Sequence, residues 1–320
     1  MRGIVSSVLK DNGRIKVKVS AILRCNNSFH TRLNAFLEHF DIPAVWLEQT
    51  LKVSRKTIFN WRKDIIPHND DLLRLANALT KYIKAEITPS LLLTGKNIHE
   101  ALRNILGWDG EHILKRVELI LAEMGLQYDM LEDEKILFGG LRNGRKFEIL
   151  PMTPRLKNFL KLTLKKLSVS PSQILVGLPF IEAMRHLDVF SSRFGLIQYE
   201  LMMTLPEFSV FSGLGYVTVN NWNKNKGIME FKLYGLCVRV NNALKLNKHP
   251  LTPSLLVYGK CLAEILDAGS FADNLGYLFD EMGYKVKDLL KIIGINKKSF
   301  GEWLKGRLIP AVKHLEKIVS

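Results

Sequence analysis

Between residues 29 and 94, apolar side chains recur in short bursts at helical spacing. Leu33, Phe36, Leu37 and Phe40 share one stripe of a helix over 29–40, which Ser28 is placed to cap. A turn at Asp41–Pro43 ends it, and Trp46, Leu47 and Leu51 mark a second helix over 44–51. Ile58 and Trp61, three apart, mark the inner face of a third over 54–63, with Ser54 as its cap and Pro67 beyond its end. A fourth helix runs from Asp70 to Tyr82, with acids in its first turn and a stripe at Leu72, Leu75, Ala76 and Leu79. After Thr88, a Pro-Ser-Leu-Leu segment opens a short fifth helix that stops near Gly95. One stretch reads otherwise. Residues 14–20 (RIKVKVS) alternate polar and apolar, as a strand edge or an extended arm does, and 1–26 is read as a basic N-terminal arm.

The pattern repeats. TPSLLLTGKNIHEAL, SPSQILVGLPFIEAM and TPSLLVYGKCLAEIL begin at Thr88, Ser170 and Thr252, in steps of 82 residues (88, 170, 252). Pro89, Pro171 and Pro253 keep the register, as do Gly95, Gly177 and Gly259, and Glu100, Glu182 and Glu264. Trp61, Trp222 and Trp303 are separated by 161 and 81 residues, about two periods and one (222 − 61 and 303 − 222). NSFHTRLNAFLEHF (27–40) aligns without gaps on GSFADNLGYLFDEM (269–282). The chain therefore divides into blocks of about eighty residues after the arm: 27–97, 98–178, 179–262 and 263–320. The second lacks the tryptophan, expected near Arg142, and carries Gly139 and Gly140 where its third helix should begin. It reads as related but degenerate.

Charge narrows the function. A net charge of +15 and a pI near 9.6 point to a polyanionic partner, nucleic acid before an acidic membrane surface. Cys25, Cys237 and Cys261 are odd in number and lack C-x-x-C spacing, which argues against a disulfide framework and a zinc site. No apolar stretch approaches a membrane span and the N-terminal run is too short for a signal sequence, so the protein is expected in the cytoplasm, at the nucleoid. No phosphate-binding glycine loop, catalytic triad or paired-carboxylate motif appears, so neither an enzyme nor a cofactor is expected.

The stretch V-S-x-x-T-I-x-N-W at 53–61, followed by basic residues and a proline, resembles the lambda-repressor-like helix-turn-helix family, nearest the phage CI-repressor type. The resemblance covers 29–96 well, 194–260 and 268–320 fairly well, and 114–177 by register alone. Glu48 and Lys52 stand where that family usually has a small residue and a glycine; Ser209, Gly213 and Gly294 fit better. The resemblance implies an all-α chain of four tandem helix-turn-helix units that binds double-stranded DNA, as a repressor-like transcriptional regulator of bacterial or phage origin. Its readers would be Ser54, Arg55, Lys56, Thr57, Asn60, Arg62 and Lys63 in the first unit. In the third they would be Tyr216, Thr218, Asn220, Asn221 and Lys224, and in the fourth Lys297, Lys298, Ser299, Lys305 and Arg307. Arg55 and Lys56 suit guanine or phosphate, Asn60 adenine or phosphate, and Arg62 and Lys63 phosphate. The tryptophans are expected in the core. The alternative is a scaffold that has lost DNA contacts and binds a protein or a second copy of itself. A single-stranded or RNA ligand ranks lower, with Tyr216 the only aromatic platform.

Overall fold

The computed structural model describes residues 15–126, 152–227, 232–266, 270–284 and 286–308, with 310, 311 and 314. Every regular element among them is helical, as expected. The chain splits into two compact units, residues 1–148 with 161–178, and 149–160 with 179–320. The positions of Gly139, Gly140 and Arg142 lie outside the described residues.

Helix α1 spans 15–25, and α2 Phe29–His39, α3 Ala44–Leu51, α4 Arg55–Lys63, α5 Asn69–Ile83 and α6 Pro89–Thr94 follow. Then come α7 (Ile98–Arg103), α8 (Gly110–Met124), α9 (Pro154–Leu167) and α10 (Pro171–Leu175). The series α11 (Phe180–His186), α12 (Phe190–Glu200), α13 (Leu205–Ser212), α14 (Tyr216–Asn223), α15 (Leu233–Leu244) and α16 (Pro253–Tyr258) repeats the order of α1 to α6. It begins once more as α17 (Leu262–Leu266), α18 (Phe271–Met282), α19 (Val286–Ile293) and α20 (Lys297–Leu304).

The described part of RIKVKVS, residues 15–20, is helical, not a strand edge or an extended arm. A helix over 15–25 buries Val19 and Ile22, three apart, and lays Ile15 and Leu23 on the core formed by α2 to α6. That burial outweighs the local alternation, and Val17 is the residue left in solvent, 70% exposed. Lys16, Lys18 and Arg24 point outward from it.

The core around α2 to α6 is built from Leu33, Phe36, Leu47, Ile58, Trp61, Leu72, Leu75 and Leu79, with their neighbours. In the third block the corresponding centre is aromatic: Phe194 lies 5.2 Å from Trp222 and 5.4 Å from Phe208, both edge-on. In the fourth it is Leu275, Phe279, Ile293, Phe300 and Trp303. The three tryptophans and the residues three before them are all buried, as their spacing predicts.

Three buried arginines recur behind this packing. A short helix leaves its last carbonyls without intrahelical partners. At the end of α6 those of Leu92 and Leu93 accept from Nε (2.7 Å) and Nη2 of Arg32, whose Nη1 donates to Asn26. At the end of α10 the carbonyls of Ile174 and Leu175 accept from Nε and Nη2 of Arg116, both at 2.6 Å. Its remaining donors meet Gly107 and Ile105. At the end of α16 Leu256 and Val257 accept from Arg193, which also donates to Leu187. Burial draws all three guanidinium pKa values down, that of Arg116 to about 10, which still leaves it charged at neutral pH.

Left-handed backbone and close neighbours explain the repeated glycine. Gly95 and Gly259 cap α6 and α16, and Gly177 follows the cap of α10, at φ 76, 71 and 91. A Cβ on Gly95 would sit 2.8 Å from the Leu23 carbonyl oxygen, and one on Gly259 3.1 Å from Nη1 of Arg193. The other end of the short helix is also held from outside. The Ser90 N–H donates to Glu123 of α8 (2.7 Å), and the Ser254 N–H and hydroxyl donate to Glu281 of α18 (2.7 and 2.6 Å).

Arg193→Met should lower stability in urea unfolding by about 3 kcal/mol or more, because three buried carbonyls lose their donor. Arg193→Lys should recover only part of this, since one ammonium cannot span the same fork. A second expectation concerns acid. Glu207 accepts from the Thr204 N–H and is paired to Lys157 at 3.0 Å, and these contacts hold its carboxyl down from its ordinary 4.5 to about 2. A depressed carboxylate contributes stability that is present above its unfolded value and is lost as pH falls through its folded one. Glu207→Gln should therefore flatten the decline in unfolding midpoint between pH 4.5 and 2.

Candidate nucleic-acid interface

Helix α4 begins as its sequence predicts. The Ser54 hydroxyl accepts from the Thr57 N–H (3.1 Å) and shares a hydrogen bond with the Thr57 hydroxyl at 2.8 Å. Ile58 and Trp61 are sunk into the core at 1% and 3% exposure. Two polar contacts from α2 fix the far end of α4. His30 donates from Nδ1 to the Trp61 carbonyl (3.1 Å), and the Asn34 amide donates to the Arg62 carbonyl (2.9 Å).

The cations of α4 therefore divide into two groups. Arg62 turns back, its Nε donating to Oδ1 of Asn34 at 2.6 Å, so it completes the seat of the helix. Arg55, Lys56 and Lys63 stay in solvent, and Asn60 is half-buried beside them. No acidic residue occurs within α4. Glu48 of α3 comes near: its Oε1 is buried with no hydrogen-bond partner among the described residues, 4.0 Å from Nε of Arg55. A carboxylate oxygen in that state attracts the guanidinium and biases where Arg55 points when no ligand is present.

The turn before α4 contains a left-handed residue, and it is lysine. Lys52 adopts φ 56, where Gly213 has φ 68 and Gly294 φ 75 in the equivalent turns. In the first and third blocks a carbonyl in the last turn of the helix before this residue is capped from the next long helix. Arg74 of α5 donates to Leu51, and Arg239 of α15 donates to Phe211 (2.9 Å).

In the third block α14 follows Gly215, which offers no side-chain cap. Tyr216, Asn221 and Lys224 are exposed and Thr218 and Asn220 are half-buried. Val217 and Val210 are also exposed, at 70% and 84%, so this helix presents more apolar than basic surface. In the fourth block Asn296 caps α20, its Oδ1 accepting from the Ser299 N–H at 2.8 Å. Lys297 and Lys298 are exposed. Lys305 and Arg307 both approach Glu302, at 3.8 and 3.6 Å, so part of their charge is neutralised locally.

Sequence reasoning named Arg55, Lys56, Asn60 and Lys63 together, and α4 brings them to one side. It did not single out Phe59, which lies on the same side at 53% exposure with the Lys63 ammonium 4.8 Å from its ring centroid. The signal was available: Phe59 stands one position after Ile58 and two before Trp61, off the buried stripe of a nine-residue helix.

Lys52→Gly should stabilise the first compact unit by about 0.5–1 kcal/mol in chemical denaturation, because glycine accepts the left-handed backbone that lysine resists. No family model, no curated protein and no solved structure matches this chain.

Proposed function

We propose that this chain binds double-stranded DNA, with α4 as its principal reading helix and α20 as a second. On this reading it is built from four tandem lambda-repressor-like helix-turn-helix units and acts as a repressor-like regulator of transcription at the nucleoid of a bacterium or a phage host. The observation that carries the reading is the seat of α4. Its inner face is locked by Ile58, Trp61, His30 and Asn34, while Arg55, Lys56 and Lys63 have, among the described residues, no internal partner other than Glu48, 4.0 Å from Arg55, and the Phe59 ring. An α-helix held in this way fits the major groove, its first turn reaching base edges and its flanking cations meeting phosphates. The net charge of +15 supplies the long-range attraction. Units on one chain raise each other's effective concentration at neighbouring sites without any new contact.

The third block favours a second role for itself. Val210, Tyr216 and Val217 give α13 and α14 an exposed apolar surface, and the exposed cations at the end of α14, Lys224 and Lys226, lie beyond its last turn. That unit is better suited to a protein partner or a second copy of the chain than to phosphates.

Arg55→Ala with Lys56→Ala should weaken binding to duplex DNA at least tenfold in fluorescence anisotropy. It should also reduce the slope of log affinity against log salt by about 0.9 for each phosphate contact removed. Unchanged affinity and slope in this variant, or a wild-type slope near zero, would sink the reading.

A further inference from the structure

We infer that Phe59 reads a thymine methyl group in the major groove; this rests on the DNA-binding reading above and names what one of its residues recognises. A phenylalanine left half-exposed at the centre of a basic helix face has lost the burial that ordinarily retains it in a soluble protein. On a helix, residues three and four apart are neighbours, so the ring at 59 is bordered by Arg55, Lys56 and Lys63. Asn60 adjoins it on the side of Lys56. All of these neighbours are hydrogen-bond donors suited to DNA, and none is apolar.

The chemistry of the groove supplies the matching apolar group. Of the four bases, only thymine presents a methyl group to the major groove, at C5, beside acceptors and donors that the surrounding side chains can bond. One face of the Phe59 ring is already covered by the Lys63 ammonium at 4.8 Å. The ring then offers an edge and its other face. That is enough for one methyl group, and it makes a poor platform for successive unpaired bases, which need bare aromatic faces. A cation held over the ring is also positioned to meet the phosphate next to the base whose methyl the ring touches.

The test uses the full chain. Duplexes that bind it are first selected from a random-sequence pool, and each fixed thymine is then replaced singly by uracil, which removes only the methyl. The wild-type chain should lose about fourfold in affinity at one such position, the effect of one methyl group withdrawn from an apolar contact. Phe59→Ala should bind the thymine and uracil duplexes equally while its circular dichroism matches wild type. If uracil is tolerated at every position, or if Phe59→Ala keeps the wild-type discrimination, the inference fails while DNA binding stands. If Phe59→Ala instead abolishes self-association in the absence of DNA and leaves the uracil effect intact, Phe59 belongs to a protein interface and the inference is overturned. If no duplex is selected at all, the function proposed for the chain fails with it.

Discussion

The arrangement depends on a guanidinium buried against the end of a short helix. Each Pro-Ser helix is five or six residues long, too short to satisfy many of its own carbonyls or to hold together alone. Arg32, Arg116 and Arg193 solve this with one planar fork that reaches two successive carbonyls and at least one more on an adjoining loop. No carboxylate accepts a hydrogen bond from any of these guanidinium groups in the described contacts; backbone carbonyls take the hydrogen bonds, and Asp109 and Asp188 favour the charges of Arg116 and Arg193 from farther off. The interaction joins the second helix of a block to its last. In the first and third blocks the helix pairs α3 with α4 and α13 with α14 are thereby enclosed within a closed loop of chain. The orientation of α4 follows from that closure together with the polar seat that α2 provides.

Within that frame, the same residue types serve two purposes. Arg62 and Lys63 are adjacent in sequence and alike in charge, yet one is bonded into the structure and the other is exposed. The difference is angular. Successive residues on a helix are turned by about a third of a circle, which carries Arg62 toward α2 and Lys63 outward. Local acids divide the fourth block's cations in a similar way, with Glu302 near Lys305 and Arg307 and no comparable partner drawn to Lys297 or Lys298 in the described ion pairs. Net charge therefore overstates the cationic surface open to a ligand.

Much of this was legible in the residues, and the exceptions have identifiable causes. Caps at Ser28 and Ser54, the stripe at Leu33, Phe36 and Leu37, and the pair Ile58 and Trp61 act over one or two turns, where sequence spacing maps directly onto geometry. The 82-residue step was equally plain, because Pro, Gly and Glu hold it throughout. The arginine clamps were not, since Arg32, Arg116 and Arg193 are unequally spaced and the helix-end carbonyls they meet lie 58 to 64 residues away. RIKVKVS misled because a two-residue alternation of valine and lysine leaves open which valine will find a core. Only contact with the rest of the block selects Val19 over Val17. Phe59 is a different case: its place off the stripe of Ile58 and Trp61 marks it as outward from the sequence alone, but sorting α4 into buried apolar and outward basic positions leaves no class for an outward aromatic ring.

The two-ended capping of the short helices has a consequence for synthesis on the ribosome. The clamp of the first block can close once Leu93 has emerged, because Arg32 and both carbonyls lie upstream of that point. The N-terminus of the same helix must wait for Glu123, some thirty residues later, before the Ser90 N–H finds its carboxylate. Ser254 waits in the same way for Glu281. A nascent block can thus fold behind the exit tunnel, but it becomes fully capped only when its successor begins to form. The chain acquires a direction of assembly from N- to C-terminus, set by a single glutamate at each of these junctions.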